Sequence, residues 1–233
     1  MLAVGLGLVL LVLLVPSIRR PLSPNRIQRC EHHLRRIGVA FLAYHERYGS
    51  FPPAYTVDAE QQPLHSWRVL LLPFLDEEPL YRQFRLDEPW DSPHNLKLLP
   101  QRPDVFADTS GKSTCETCTA YAAPLGAATI FRGAVPVGRD EIEDPLSRTI
   151  LIGEIRPNLI HWTEPLDVPY GNFTLGEAGV FVGQHRAGVY FLRADGSVGF
   201  MPNSTPAQWV KLATSRGSGE LKIKAFGSKL FER

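Results

Sequence analysis

A chain of 233 residues, 44% hydrophobic and 21% charged, has room for one globular domain and an appendage, and its balance excludes a disordered or fibrous protein. A formal net charge of +1 gives no global attraction to nucleic acid, which is not expected as a partner.

Residues 1–18 carry no charged side chain and are mostly Leu and Val. Eighteen residues rise roughly 27 Å as a helix, close to the ~30 Å of a hydrocarbon core. A cleaved signal peptide would have a basic start and a small-x-small cleavage site, whereas this run leads into Pro16-Ser17-Ile18-Arg19-Arg20. An uncleaved transmembrane anchor over 1–18 is therefore expected, with one domain over 19–233. Arg19, Arg20, Arg26, Arg29, Arg35, Arg36 and Arg47 follow it, against only Glu31 and Glu46. By the positive-inside rule they would hold that side in the cytoplasm. The three cysteines favour an exported domain instead.

Ser23-Pro24 reads as an N-cap followed by proline at the first helical position. Ile27, Cys30, Leu34, Ile37, Phe41, Tyr44 and Tyr48 then recur three or four apart, and Gly49 ends the pattern. This predicts an amphipathic helix over 24–48 lying on a sheet, with the arginines, His32 and His33 on its polar face. From Phe51 to Pro103 the chain is rich in Pro and Trp. Leu64–Leu75 reads as a short buried helix, Glu78–Phe84 as another, and Asp91-Ser92-Pro93 as the cap of a third through Leu99. Residues 104–117 read as a polar loop. The period then turns toward strands at Ala120–Ala123, Thr149–Ile155, Gly179–Val182, Gly188–Arg193 and Ser197–Met201, with a closing helix at Thr205–Thr214. The fold class expected is α+β, a long helix packed on a small antiparallel sheet behind an N-terminal membrane helix.

Near the C-terminal end stands Gly183-Gln184-His185, then nine residues, then Asp195-Gly196-Ser197-Val198. Asp-Gly between two apolar runs predicts a two-residue type I′ hairpin, placed over 185–201 with its flanking residues.

Several runs match one bacterial family in order over roughly residues 30 to 220. They include Leu34-Arg35-Arg36-Ile37-Gly38, Tyr44-His45-Glu46-Arg47-Tyr48-Gly49-Ser50-Phe51-Pro52-Pro53-Ala54 and Ser66-Trp67-Arg68-Val69-Leu70-Leu71-Leu72-Pro73-Phe74-Leu75. Others are Glu88-Pro89-Trp90-Asp91-Ser92-Pro93-His94-Asn95, Thr149-Ile150-Leu151-Ile152-Gly153-Glu154, Trp162-Thr163-Glu164-Pro165 and the His185–Gly196 motif. The chain resembles the family called domain of unknown function 1559, whose members have a prepilin-type N-terminus and a C-terminal H-x(9)-D-G motif. The resemblance implies a pseudopilin-like protein with a membrane helix and an exported α+β head. It differs from the family at two points. There is no Gly-Phe-Thr-Leu-Ile-Glu run and no acidic residue before Glu31, and Val105-Phe106-Ala107-Asp108 replaces the usual Cys-Pro element.

Cys115 and Cys118 form a C-x-x-C pair in a polar loop rather than at a helix N-terminus after a buried strand, which disfavours a thioredoxin-like site. Zinc needs four ligands, and no second such pair accompanies this one. A structural disulfide is expected, either Cys30 with Cys115 or Cys118, or Cys115 with Cys118. His185, Asp195 and Glu154 would make a carboxylate-rich cluster if their strands were neighbours, yet histidine suits calcium poorly. The reading taken is structural. His185 bonds a loop carbonyl, Asp195 and Gly196 make the turn, Glu154 ends its strand, and Trp162, like Trp67, Trp90 and Trp209, belongs to the core. Ser66, Ser92 and Ser197 lack a G-x-S-x-G frame, and Ser110-Gly111-Lys112-Ser113 lacks the first glycine of a phosphate loop. No catalytic residue, metal or cofactor is expected.

These readings converge on a non-enzymatic, pseudopilin-like protein of the bacterial inner membrane, single-pass, with an extracytoplasmic head acting through envelope or secretion-assembly partners. The alternative is an anchored solute- or carbohydrate-binding domain with the Trp- and Pro-rich segment as its cleft.

Overall fold

The structure, a computed structural model, describes residues 24–156, 158–170, 181, 183 and 188–202. The run 1–18 expected as an anchor lies outside the described residues, as do His185 and the segment Thr205–Thr214. Among the described residues no helix is long and apolar enough to cross a membrane.

Helix α1 (Pro24–Tyr48) buries Cys30, Leu34, Ile37 and Phe41, the centre of the expected stripe. Gly49, at φ +77°, closes it by donating its N–H to the His45 carbonyl at 2.8 Å. Two assignments on this helix change. His33, placed on the polar face, is buried, because the 3-10 turn Asp104–Phe106 packs on that flank and widens the covered sector; its Nε2 lies 3.3 Å from Asp104. Tyr48, placed in the stripe, is 56% exposed, and its ring leans on Tyr44 and Phe74.

A small antiparallel pair follows, β1 (Tyr55–Val57) with β2 (Pro63–Ser66). The run read as one helix over Leu64–Leu75 is divided. It ends β2, forms the short α2 (Trp67–Leu70), and continues as a 3-10 turn at Leu72–Phe74. Ser66 Oγ accepts the Arg68 N–H at 3.0 Å and so starts a new helix, while Pro73 offers no N–H to extend it. Helix α3 (Glu78–Tyr81) and a 3-10 stretch at Asn95–Gln101 complete this segment. Inside the expected polar loop, Val105 and Phe106 are core residues.

The remaining strands are β3 (Tyr121–Ala122), β4 (Pro124–Leu125), β5 (Ile150–Glu154), β6 (Val168–Pro169), β7 (Gly188–Arg193) and β8 (Val198–Pro202). The main sheet has the order β3-β5-β7-β8, antiparallel throughout, and β4 pairs with β6 in parallel beside it. Every residue of β5 is buried, as a near-continuous apolar run demands of a central strand. Along β7 the faces alternate. Tyr190 and Leu192 meet the core that holds α1, while Val189 and Phe191 meet a second core with Ile155, Ile160, Val168, Tyr170 and Phe181. The architecture is thus mixed α and antiparallel β, with α1 on one face of the sheet.

The β7–β8 connection is not a two-residue type I′ turn. The Gly196 N–H donates to the Arg193 carbonyl and the Arg193 N–H to the Ser197 carbonyl, each at 2.9 Å. Gly196 has φ +84°, whereas Ala194 and Asp195 keep negative φ. This is a three-residue loop, a turn closed by one left-handed glycine that bulges into the strand. Its tip rests on α1. A Cβ built on Gly38 would stand 2.8 Å from Leu192 Cδ1 and 3.2 Å from the Gly196 carbonyl oxygen, so the missing side chain is what lets helix and turn meet. Gly38→Val is expected to lower the unfolding free energy by about 1–3 kcal/mol in urea titrations, the helix-propensity gain offsetting only ~0.5 kcal/mol of the overpacking.

Candidate functional site

The polar chemistry of the described residues gathers in three places. The first lies between α1 and the sheet. Glu154, the last residue of β5, is buried and turned toward the helix. The Cys30 thiol donates to its Oε1 at 2.9 Å, and the Tyr190 N–H donates to its Oε2 at 2.7 Å. The buried Tyr121 hydroxyl donates to Cys30 Sγ at 3.5 Å. Burial pushes the Glu154 carboxyl up to about 7. Burial first, then the Glu154 charge, pushes the Cys30 thiol up, and burial likewise raises the Tyr121 phenol. A thiol held protonated is neither nucleophile nor metal ligand. The pairing of Cys30 with Cys115 or Cys118 does not occur; Cys30 is a free, buried hydrogen-bond donor.

The second place was not singled out from the sequence. Arg68 and Asp167 are fully out of water, 2.9 Å apart between Nη2 and Oδ1. Arg68 also donates to the Tyr121 carbonyl from Nε (3.3 Å) and Nη2 (2.8 Å), and to Ser66 Oγ from Nη1 (3.0 Å). Its guanidinium covers the Trp67 ring at 4.4 Å. Asp167 receives the Ala123 N–H at 2.7 Å and the Trp67 Nε1–H at 3.1 Å. Burial works against both charges, lowering Arg68 and raising Asp167 from their ordinary values. The available signal was one arginine inside the otherwise apolar run from Trp67 to Leu72.

The third place is the C-x-x-C loop. Cys115 and Cys118 are joined as a disulfide, with Cα atoms 5.4 Å apart. The backbone bridge between Cys118 and His161 brings the imidazole to the same spot, with Nδ1 2.8 Å from Thr117 Oγ1. Forty-odd residues of chain separate His161 from the pair, so no local spacing announced it.

Asp195 and Glu154 are not brought together. The Ala194 N–H donates to the Thr149 carbonyl at one end of β5, and Glu154 stands at the other, about 15 Å along the strand. Asp195 Oδ1 accepts from the Ser197 N–H at 2.9 Å and the Ser197 hydroxyl at 2.6 Å, which locks the turn. Trp162 is core. It donates Nε1–H to the Leu99 carbonyl at 2.8 Å and stacks on Phe106 at 6.2 Å between centroids. Trp67 is equally buried, so neither lines a cleft.

A family model described as a protein of unknown function (DUF1559) matches residues 26–107, from α1 to just past the 3-10 turn at Asp104–Phe106. This supports the family resemblance over that stretch; the sheet and the H-x(9)-D-G motif lie beyond it. No curated protein and no solved structure matches the chain.

Three outcomes follow from these contacts. Asp167→Ala strands a buried guanidinium and is expected to cost about 3–5 kcal/mol in chemical unfolding, far more than an exposed carboxylate would. Glu154 rises from an ordinary 4.5 to about 7, so the folded form keeps a proton that the unfolded form releases. Its stabilising contribution is full below the lower value, falls as pH rises between the two, and is lost above the upper one. Urea unfolding at about pH 5 and about pH 8 should therefore show wild type losing about 3 kcal/mol more than Glu154→Gln over that interval. Thiol titration without reductant should find no reactive thiol in the native protein and a single one, Cys30, after denaturation.

Proposed function

We propose that this is a membrane-anchored, non-enzymatic, pseudopilin-like protein of the bacterial inner membrane, whose extracytoplasmic head works through contacts with envelope or secretion-assembly proteins. The observation that carries the reading is the arrangement of α1. A long amphipathic helix lies on a small antiparallel sheet and begins a few residues after an uncharged apolar run. The match of residues 26–107 to the DUF1559 family agrees with it.

The outer face of α1 supports a role in partner contact. Arg29, Arg35, Arg36 and Arg47 are exposed there, and Val39 is 66% exposed among them. His32, Arg35, Arg36, Val39, Phe74, Leu75 and Asp76 line a shallow groove of about 230 Å³ that joins apolar and charged side chains, with Arg36 3.8 Å from Asp76. The Cys115–Cys118 disulfide suits an oxidising compartment. The buried carboxylates Glu154 and Asp167 hold helix, sheet and neighbouring segments together.

Expressed full length in bacteria, the protein should pellet with membranes and resist carbonate washing, whereas a chain starting at Ser23 should stay soluble. Protease added to spheroplasts should digest the head. Full-length protein with an intact N-terminus in the soluble fraction, or a head protected in spheroplasts, would contradict the proposal.

A further inference from the structure

The loop carrying Cys115 and Cys118 is held by bonds that do not depend on the disulfide. The Asp108 carboxylate accepts the N–H groups of Ser110 (2.8 Å), Lys112 (3.0 Å) and Ser113 (2.8 Å). Asn158, at φ +67°, accepts from the Cys115 and Thr114 N–H groups at 3.0 and 3.2 Å, and its Nδ2 donates to Thr114 Oγ1 at 3.0 Å. Past the pair, the Trp162 N–H donates to the Thr117 carbonyl and the Thr119 N–H to the Ile160 carbonyl, each at 2.9 Å. This bridge sets His161 opposite Cys118. A ring nitrogen and both sulfurs then lie within 4.8 Å of one another. Thr117 Oγ1 lies 2.8 Å from His161 Nδ1 and 3.6 Å from Cys115 Sγ, in contact with both the ring and the pair.

We propose that Cys115, Cys118 and His161 form a redox-gated site for one thiophilic d10 cation, Cu(I) or Zn(II). The gate is the disulfide. A dithiol reductant supplies two electrons and two protons; the Sγ–Sγ bond breaks, two thiols form, and the reductant is left as a disulfide. The cation then displaces both thiol protons to solvent and binds two thiolates and the neutral imidazole. Donors at 2.0–2.3 Å from one ion stand roughly 3.5–4 Å apart, so the nitrogen moves by about 1 Å and the sulfurs separate, within a backbone already pinned on both sides. Three such donors complete a trigonal Cu(I) site, while Zn(II) takes water as its fourth ligand. Arg102 donates Nη1–H to the Cys118 and Cys115 carbonyls and places a positive charge beside a Cu(I) complex of net charge −1. In the oxidised form no thiolate exists and the site is closed.

The full-length protein, oxidised or reduced with a dithiol that is then removed under argon, would be titrated with Cu(I) against bicinchoninate and with Zn(II) against a chromogenic chelator. The expected result is one equivalent of at least one cation per reduced chain and none per oxidised chain. The cation bound tells three-donor from water-completed coordination. Cys115→Ser should abolish binding, and His161→Gln and His161→Asn should each weaken it roughly tenfold or more. Cys30→Ser, which removes a buried thiol elsewhere, should leave it unchanged. Circular dichroism of each variant checks that it is folded. Reduced wild type binding neither cation, or folded His161 variants binding as tightly as wild type, would overturn the proposal.

Discussion

A guanidinium with no access to water must have its charge answered and its donors filled, and the middle of this molecule is arranged around that demand. Arg68 reaches Asp167 and the Tyr121 carbonyl, and Asp167 is tied in turn to Trp67 and Ala123. Through these few bonds the Ser66–Arg68 corner, the edge strand β3 and the segment before β6 are held in one relation. Replacing a buried pair by apolar groups often costs little, while removing one partner costs much. The pair thus constrains where three distant parts of the chain must stand more than it adds net stability.

Helix α1 is seated at two points of very different chemistry. At one end Cys30 donates into Glu154, a buried polar contact of fixed direction. At the other, Gly38 admits the backbone of Gly196, a contact of shape alone. Leu34 and Ile37 of the apolar stripe lie between them, and the stripe continues past Gly38 to Phe41. A stripe fixes which side of a helix faces a sheet but lets it slide along its axis. The two end contacts remove that freedom, one through hydrogen-bond geometry and one through a fit that any side chain would obstruct.

Buried polar groups work inward here, and the surface differs. The arginine-bearing face of α1 with the groove beneath it presents charge and apolar area side by side to solvent. The C-x-x-C loop is braced by Asp108 and Asn158 on one side and by the Trp162 N–H on the other.

The sequence by itself determined the long helix, the central strand β5, the β7–β8 hairpin and the α+β class, because each follows from a period or a turn residue a few positions wide. The stripe from Cys30 to Phe41, the apolar run Ile150–Glu154 and the Asp195-Gly196 pair needed nothing from elsewhere in the chain. Where a neighbour decides, local reading failed. Pro73 and Ser66 divided a run whose apolar content resembled one helix, and Phe106 entered the core from a segment polar on either side. His33 was covered by a turn some seventy residues away. The type of hairpin turn also escaped, since Asp-Gly serves both a two-residue turn and the bulged loop found here. Tertiary structure alone decided that Cys30 pairs with a carboxylate rather than a sulfur, that Arg68 meets Asp167, that Glu154 and Asp195 stand at opposite ends of a strand, and that His161 joins Cys115 and Cys118. In each case the partners lie tens of residues apart, and their interaction energy exists only once the intervening chain has folded to exclude water between them.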